Sequence, residues 1–170
     1  MRHFVFLALG LGLAGCGGSA LLEPSPEVLN ESFEDRSLTT ALPSADAGFA
    51  SLLNNVRIDD GVGAVRYDAR LDAAAQGHAE DMIARNYFEH ESPEGDGVED
   101  RILAQGYDAS AYGENIAANQ STAQEALEGW QDSPSHNEMM TTGSFEDFGL
   151  GYMSKGAATR WVLVMGKEAE

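Results

Sequence analysis

A chain of 170 residues with 43% hydrophobic side chains has material for one core and short extensions, not for several domains. Its 28 acidic against 10 basic residues, a net charge of -18, repel phosphate backbones, which excludes nucleic acid as a partner. A single cysteine excludes an intramolecular disulfide, and the acidity keeps the surface soluble and self-repelling.

The first predicted element is a targeting segment. Arg2 and His3 precede an apolar run, Phe4 to Leu13, too short to span a bilayer, and small residues follow at Ala14 and Gly15. The end of the run, Leu13-Ala14-Gly15-Cys16, resembles the lipobox of bacterial lipoproteins. That resemblance implies that residues 1–15 are a signal peptide and that Cys16 becomes the acylated (palmitate-type) first mature residue. Several acyl chains on one residue hold a protein stably on a membrane. The expectation is a lipoprotein of the cell envelope, facing the periplasm or exterior, whose membrane partner is reached through Cys16. Residues 16–47 then read as an acidic Gly/Ser/Thr/Pro linker, broken by Pro24, Pro26 and Pro43, with a reach of roughly 30 Å.

The folded domain is expected over 48–170. Phe49, Leu52, Leu53 and Val56 recur at helical spacing, Gly61 and Gly63 end that helix, and Ala64 to Tyr67 reads as a short extended piece. Asp68 caps a second helix in which Leu71, Ala75, His78 and Met82 share one stripe, so His78 reads as a packed core residue rather than a ligand. After Tyr87-Phe88 the chain turns polar at Glu89-His90-Glu91-Ser92-Pro93, which sets His90 at the edge of the core, where an imidazole keeps one ring nitrogen reachable. The acids that follow lack calcium-loop spacing and lead into a helix over Val98 to Gln105, stopped by Gly106. Glu114, in Tyr112-Gly113-Glu114-Asn115-Ile116-Ala117, reads as the floor of a site. Thr122-x-x-Glu125 is a capping box for a helix that buries Trp130, and Ser133-Pro134 opens another with His136 in its first turn. Phe145 to Tyr152 and Trp161 to Met165 read as strands joined near Lys155-Gly156, pairing with the strand of Glu114.

Two histidines and a carboxylate suit a divalent metal and equally an acid/base pair. Taken together, the early Leu53, Asn55 and Arg57, the His90-x-Ser92-Pro93-x-Gly95 segment, Asp100-Arg101, Gly113-Glu114-Asn115, and Trp130 followed by Ser133-Pro134-Ser135-His136 resemble the CAP superfamily of cysteine-rich secretory, antigen 5 and pathogenesis-related 1 proteins, in its bacterial SCP-like branch. The resemblance implies an α+β fold, an α-β-α sandwich with a small antiparallel sheet covered by helices on both faces. It also implies a cleft built from His90, Glu114 and His136, with Ser133 where many members carry a second Glu. Zinc or another divalent metal on His90, His136 and Glu114 is one implied cofactor, although serine is a poor fourth ligand.

Three functions remain open at this point. The leading expectation is a membrane-anchored module that binds a small amphipathic, sterol-like, lipid-like or cell-envelope ligand in the cleft. A metal-dependent, peptidase-like hydrolase with Glu114 as acid/base is the second, and an acidic interaction surface the third. Ser92 and Ser135 sit in turn and capping contexts, where serine is structural more often than nucleophilic.

Overall fold

The computed structural model describes residues 44–170, with side chains from residue 48; the expected signal peptide, Cys16 and nearly all of the linker lie outside the described residues. The order of elements is α1 (Ser44–Asp59), β1 (Arg66–Tyr67), α2 (Ala69–Arg85), α3 (Val98–Ala104), β2 (Ala109–Ala118), α4 (Ala123–Gln131), α5 (Pro134–Met140), β3 (Asp147–Lys155) and β4 (Ala158–Glu168). Helix α1 begins at Ser44, before the expected boundary at 48: a single glycine inside a helix costs about 1 kcal/mol, and Gly48 does not stop this one.

The sheet runs β1-β3-β4-β2. Strand β4 is the central partner, antiparallel to β2 from Ala118↔Arg160 to Ala109↔Glu168 and antiparallel to β3. Among the described residues the strand of Glu114 therefore pairs with β4 alone, at the edge of this sheet, whereas both late strands were expected beside it. Two-residue β1 joins β3 in parallel through Arg66↔Asp147 and Tyr67↔Phe148. Gly156, at φ 62°, supplies the positive φ of the tight β3–β4 turn where the sequence placed it.

Strand alternation divides the core in two. Trp161, Leu163 and Met165 of β4 join Phe148 and Leu150 of β3 against Phe49, Leu53, Leu127 and Trp130, under α1, α4 and α5. Val162 and Val164 point the other way, with Ile116, to Leu71, Ala75, Ala79 and Met82 of α2 and Ile102 of α3. Helix α2 rests almost directly on β3. A Cβ at Gly149 would lie 2.0 Å from the Asp72 backbone nitrogen, and one at Gly151 would lie 2.2 Å from the Ala75 carbonyl carbon, so only glycine admits this contact.

Local chemistry fixes the ends. Asp68 accepts from Arg70 N at 2.8 Å to start α2, and Thr122 accepts from Glu125 N at 3.1 Å to start α4. Buried Arg57 stitches α1 to the α5–β3 connection, donating to the carbonyls of Gly63 (2.7 Å), Met140 (2.7 Å), Thr142 (3.0 Å) and Phe145 (3.2 Å).

Candidate functional site

Alternation along β2 sends Gly113, Asn115 and Ala117 toward α5 and the larger core, and Glu114 with Ile116 toward α2 and α3. The Glu114 side chain is only 2% exposed. A carboxylate so placed has lost its water and needs fixed partners. Arg101 of α3, itself 13% exposed, donates Nη2–H to Oε2 at 2.7 Å, and His90 donates Nδ1–H to Oε1 at 2.8 Å. Arg101 also reaches the backbone of the His90 loop, donating Nη1–H to the carbonyls of His90 (3.0 Å) and Asp96 (2.9 Å). One guanidinium thus holds both the carboxylate and the loop that carries the imidazole.

The ring of His90 is 56% exposed, with Nδ1 committed to Glu114 and Nε2 left as the nitrogen a ligand can reach. Its hydrogen bond to the carboxylate raises its pKa above the ordinary histidine value, against a smaller opposing effect of desolvation. The arrangement can donate a proton or a charged hydrogen bond at a fixed position, or accept a proton once His90 is neutral.

Behind this pair, a second set of contacts braces the loop. Asn86 ends α2 in the left-handed region (φ 57°), with its backbone N–H on the Met82 carbonyl. Buried His78 donates Nε2–H to the Glu89 carbonyl at 3.0 Å, and burial lowers its pKa. The sequence reading of His78 as a hydrogen-bonded core residue matches this position. Tyr87 donates its hydroxyl to Asp81 at 2.5 Å, and Arg85 bridges Glu94 (2.6 Å) and Asp81. Ser92 accepts from the backbone N–H groups of Glu94 (3.3 Å) and Asp96 (3.1 Å), so its hydroxyl shapes the turn. A cavity of about 470 Å³ opens beside His90, walled by Tyr87, Pro93 and the polar residues between them.

The structure joins His90 to Glu114 and adds Arg101. It sets Ser133 at the N-cap and His136 in the first turn of α5, where Asn115 Nδ2–H, on the other side of β2 from Glu114, donates to the His136 carbonyl at 3.0 Å. Ser133 holds the N-cap position without a side-chain cap bond. The donor set around Glu114 does not fit a divalent cation. Its two oxygens are taken by an imidazole N–H and a guanidinium, and the guanidinium already supplies the positive charge a metal would bring. Among the described residues no three His, Cys, Asp or Glu side chains converge to hold a metal ion. The residue sequence reasoning left without a role is Arg101. Asp100-Arg101 stood among the motifs that carry the family resemblance, with no role attached to the arginine.

Residues 50–165 match the cysteine-rich secretory protein family, CAP. The chain is 30% identical over 128 residues to the uncharacterized protein YkwD of Bacillus subtilis, a match covering 73% of this chain and 50% of that one. It is 32% identical over 114 residues to the uncharacterized membrane protein YlbC of the same organism, covering 65% of this chain and 33% of that one. This chain therefore spans half or less of the length of these relatives. Among solved structures, an extracellular protein containing a SCP domain from Bacillus anthracis superposes with a TM-score of 0.67 at 28% identity, over 72% of this chain and 40% of that one. No helix among the described residues is long and apolar enough to cross a membrane.

Proposed function

This chain belongs to the CAP family, and from that membership we propose that it is a membrane-anchored, extracytoplasmic binding module whose His90 cavity takes a small amphipathic ligand of the cell envelope. The observation that carries the reading is a deeply buried carboxylate, Glu114, fixed by Arg101 and spent on orienting an exposed imidazole. Burying Glu114 costs desolvation free energy, which Arg101 and His90 offset. The outcome is an oriented imidazole, with Nε2 free to meet a ligand, at a cavity lined by Tyr87 and Pro93. A polar head on His90 Nε2 and an apolar body along Tyr87 and Pro93 suit such walls. A lipid-like or sterol-like molecule has that division; so has an envelope fragment with an acyl or aromatic part.

For the alternative of metal-assisted hydrolysis, with a metal on His90 and His136 and Glu114 moving the proton, the guanidinium of Arg101 stands on that carboxylate, which is why binding is preferred. For the anchor, the lipobox-like sequence at Cys16 supports attachment to the membrane, and the relative YlbC is described as a membrane protein.

The test of the cavity is mass spectrometry of small molecules that copurify with the full chain. An amphiphile held by the native protein and lost in His90→Ala and Glu114→Ala, both still folded, is the expected result. An identical set of molecules in all three proteins rejects the reading. For the anchor, Cys16→Ser is expected to move the protein out of the membrane fraction; a variant that stays there contradicts the lipobox assignment.

A further inference from the structure

A second cavity, away from His90, collects the cations that the acidic surface leaves over. In a chain of net charge -18 nearly every cation has a carboxylate to meet. Arg66 pairs with Asp147, Arg70 with Asp68 and Glu168, Arg85 with Asp81 and Glu94, Arg101 with Glu114, and Lys167 with Glu146. Arg57 is buried under backbone carbonyls. Among the described residues only Lys155 and Arg160 remain without a carboxylate partner, and both line one cavity of about 340 Å³ between the end of α2 and the β3–β4 turn.

The geometry there is that of a receptor. Arg160 donates Nε–H to the Tyr87 carbonyl at 3.3 Å and Nη1–H to the Thr159 carbonyl at 2.9 Å, which fixes the guanidinium and leaves Nη2 without a protein acceptor among the described residues. Ile83, Ala84 and Ala158 give the cavity apolar wall; outside it, Phe88, 40% exposed, lies beneath the Arg160 guanidinium, and Met153, 36% exposed, is directly across the ladder from Arg160. The C-terminal end of α2 also favours cations at this place, which explains how two positive charges are retained. The Asn86 N–H takes only the Met82 carbonyl, and the hydrogen bonds of Arg160 go to Tyr87 and Thr159, not to the carbonyls of α2.

We infer that this cavity is a binding site for an anionic amphiphile, whose oxyanion head lies between Lys155 and Arg160 and whose apolar part rests on Ile83, Phe88 and Met153. A planar guanidinium and an ammonium together supply the charge-assisted hydrogen bonds that a phosphate or carboxylate accepts, and the exposed apolar side chains beside them take the carbon chain. No residue lines both this cavity and the His90 cavity, although Arg160 reaches the Tyr87 carbonyl between them.

The test uses the full chain in a non-ionic detergent, with hexyl phosphate as the probe and inorganic phosphate and 1-hexanol as controls that each keep one of its two features. Calorimetric titration of the His90→Ala chain, which removes the polar anchor of the other cavity, is expected to give one site for hexyl phosphate, bound more tightly than either control. Affinity should fall about tenfold or more in the Lys155→Gln/Arg160→Gln double variant. Because Arg160 also holds the Tyr87 carbonyl, Lys155→Gln alone, at an exposed residue, is the second variant, with a loss of about threefold. His90→Ala should leave the affinity unchanged. Competition then separates two sources of the ligand: displacement of hexyl phosphate by mixed micelles carrying phosphatidylglycerol but not phosphatidylcholine assigns the site to a lipid head group, displacement by neither assigns it to a dispersed amphiphile, and equal displacement by both contradicts an anion site. Absence of saturable binding to the native chain, hexanol binding as tightly as hexyl phosphate, equal affinity in Lys155→Gln and the double variant as in the native chain, or loss of binding in His90→Ala would each overturn the inference.

Discussion

The two faces of the sheet achieve stability by different means. Under α1, α4 and α5 the packing is large: Phe49, Leu53, Trp130, Phe148 and Leu163 fill the space, Phe49 meets Trp130 edge-on with ring centroids 6.5 Å apart, and Trp130 bonds the Ile116 carbonyl at 3.1 Å. Under α2 the packing is close: the helix backbone at Leu71–Asp72 and Ala75–Gln76 lies directly on Gly149 and Gly151 of β3. The first face gains from apolar area, the second from exact fit of backbone to backbone. The lesson concerns the site. On the tight face α2 covers β3 and β4, and the edge strand β2 is left to the short helix α3 and the loop 86–97, which bring Arg101 and His90 to Glu114.

The sharpest way to break the contrast is Gly151→Val. A side chain there has no space to enter, since even its Cβ would overlap the α2 backbone, and the expected result is loss of the native fold, seen as the absence of a cooperative thermal transition. A variant that melts near the native temperature would mean that α2 can move off the sheet cheaply. Next in size is Arg57→Met on the other face. It leaves buried carbonyls unpaired and is expected to cost about 3–5 kcal/mol by urea denaturation. A loss under about 1 kcal/mol would mean that water replaces the guanidinium there.

Arg101→Met probes the site itself, at an expected cost of about 2–3 kcal/mol, because Glu114 stays buried while losing its cation. Amide exchange should also quicken in loop 86–97, whose carbonyls at His90 and Asp96 lose their donor. Unchanged exchange there would contradict the role given to Arg101. His90→Ala is the smallest, at under about 1 kcal/mol for a largely exposed partner. Its sign with pH is definite. His90 has a raised folded-state pKa, so the folded state binds the proton more tightly; its stabilising contribution is fully present below the unfolded histidine value and is lost as pH rises through the folded one. The native chain should therefore exceed His90→Ala in thermal stability by more at pH 5.5 than at pH 9, and an equal or reversed difference would remove the His90–Glu114 pair from the account.

Much of this fold was legible because its signals are local. The α2 stripe from Leu71 to Met82, the Asp68 and Thr122 caps, and the turn at Gly156 each follow from residues within a few positions of one another. What required the structure depends on pairing. Gly149 and Gly151 are where a helix backbone makes contact, which no pattern along the strand itself shows. The order β1-β3-β4-β2 could not be read from alternation, which tells which side chains share a face but not which strands are neighbours. At the site, His90 and Glu114 were legible from residue type and family resemblance. Arg101 was not, because its partner lies thirteen residues on, across a turn. The side of the sheet taken by α5, and with it the position of His136, likewise depends on the parity of β2.

The most direct test of the central claim is an NMR titration of the His90 imidazole in the native chain and in Glu114→Gln. The account predicts a pKa above the ordinary histidine value in the native chain and a return toward that value in the variant. An unshifted His90 in the native chain, or one that titrates identically after Glu114→Gln, would contradict the claim that a buried carboxylate holds this imidazole for a ligand.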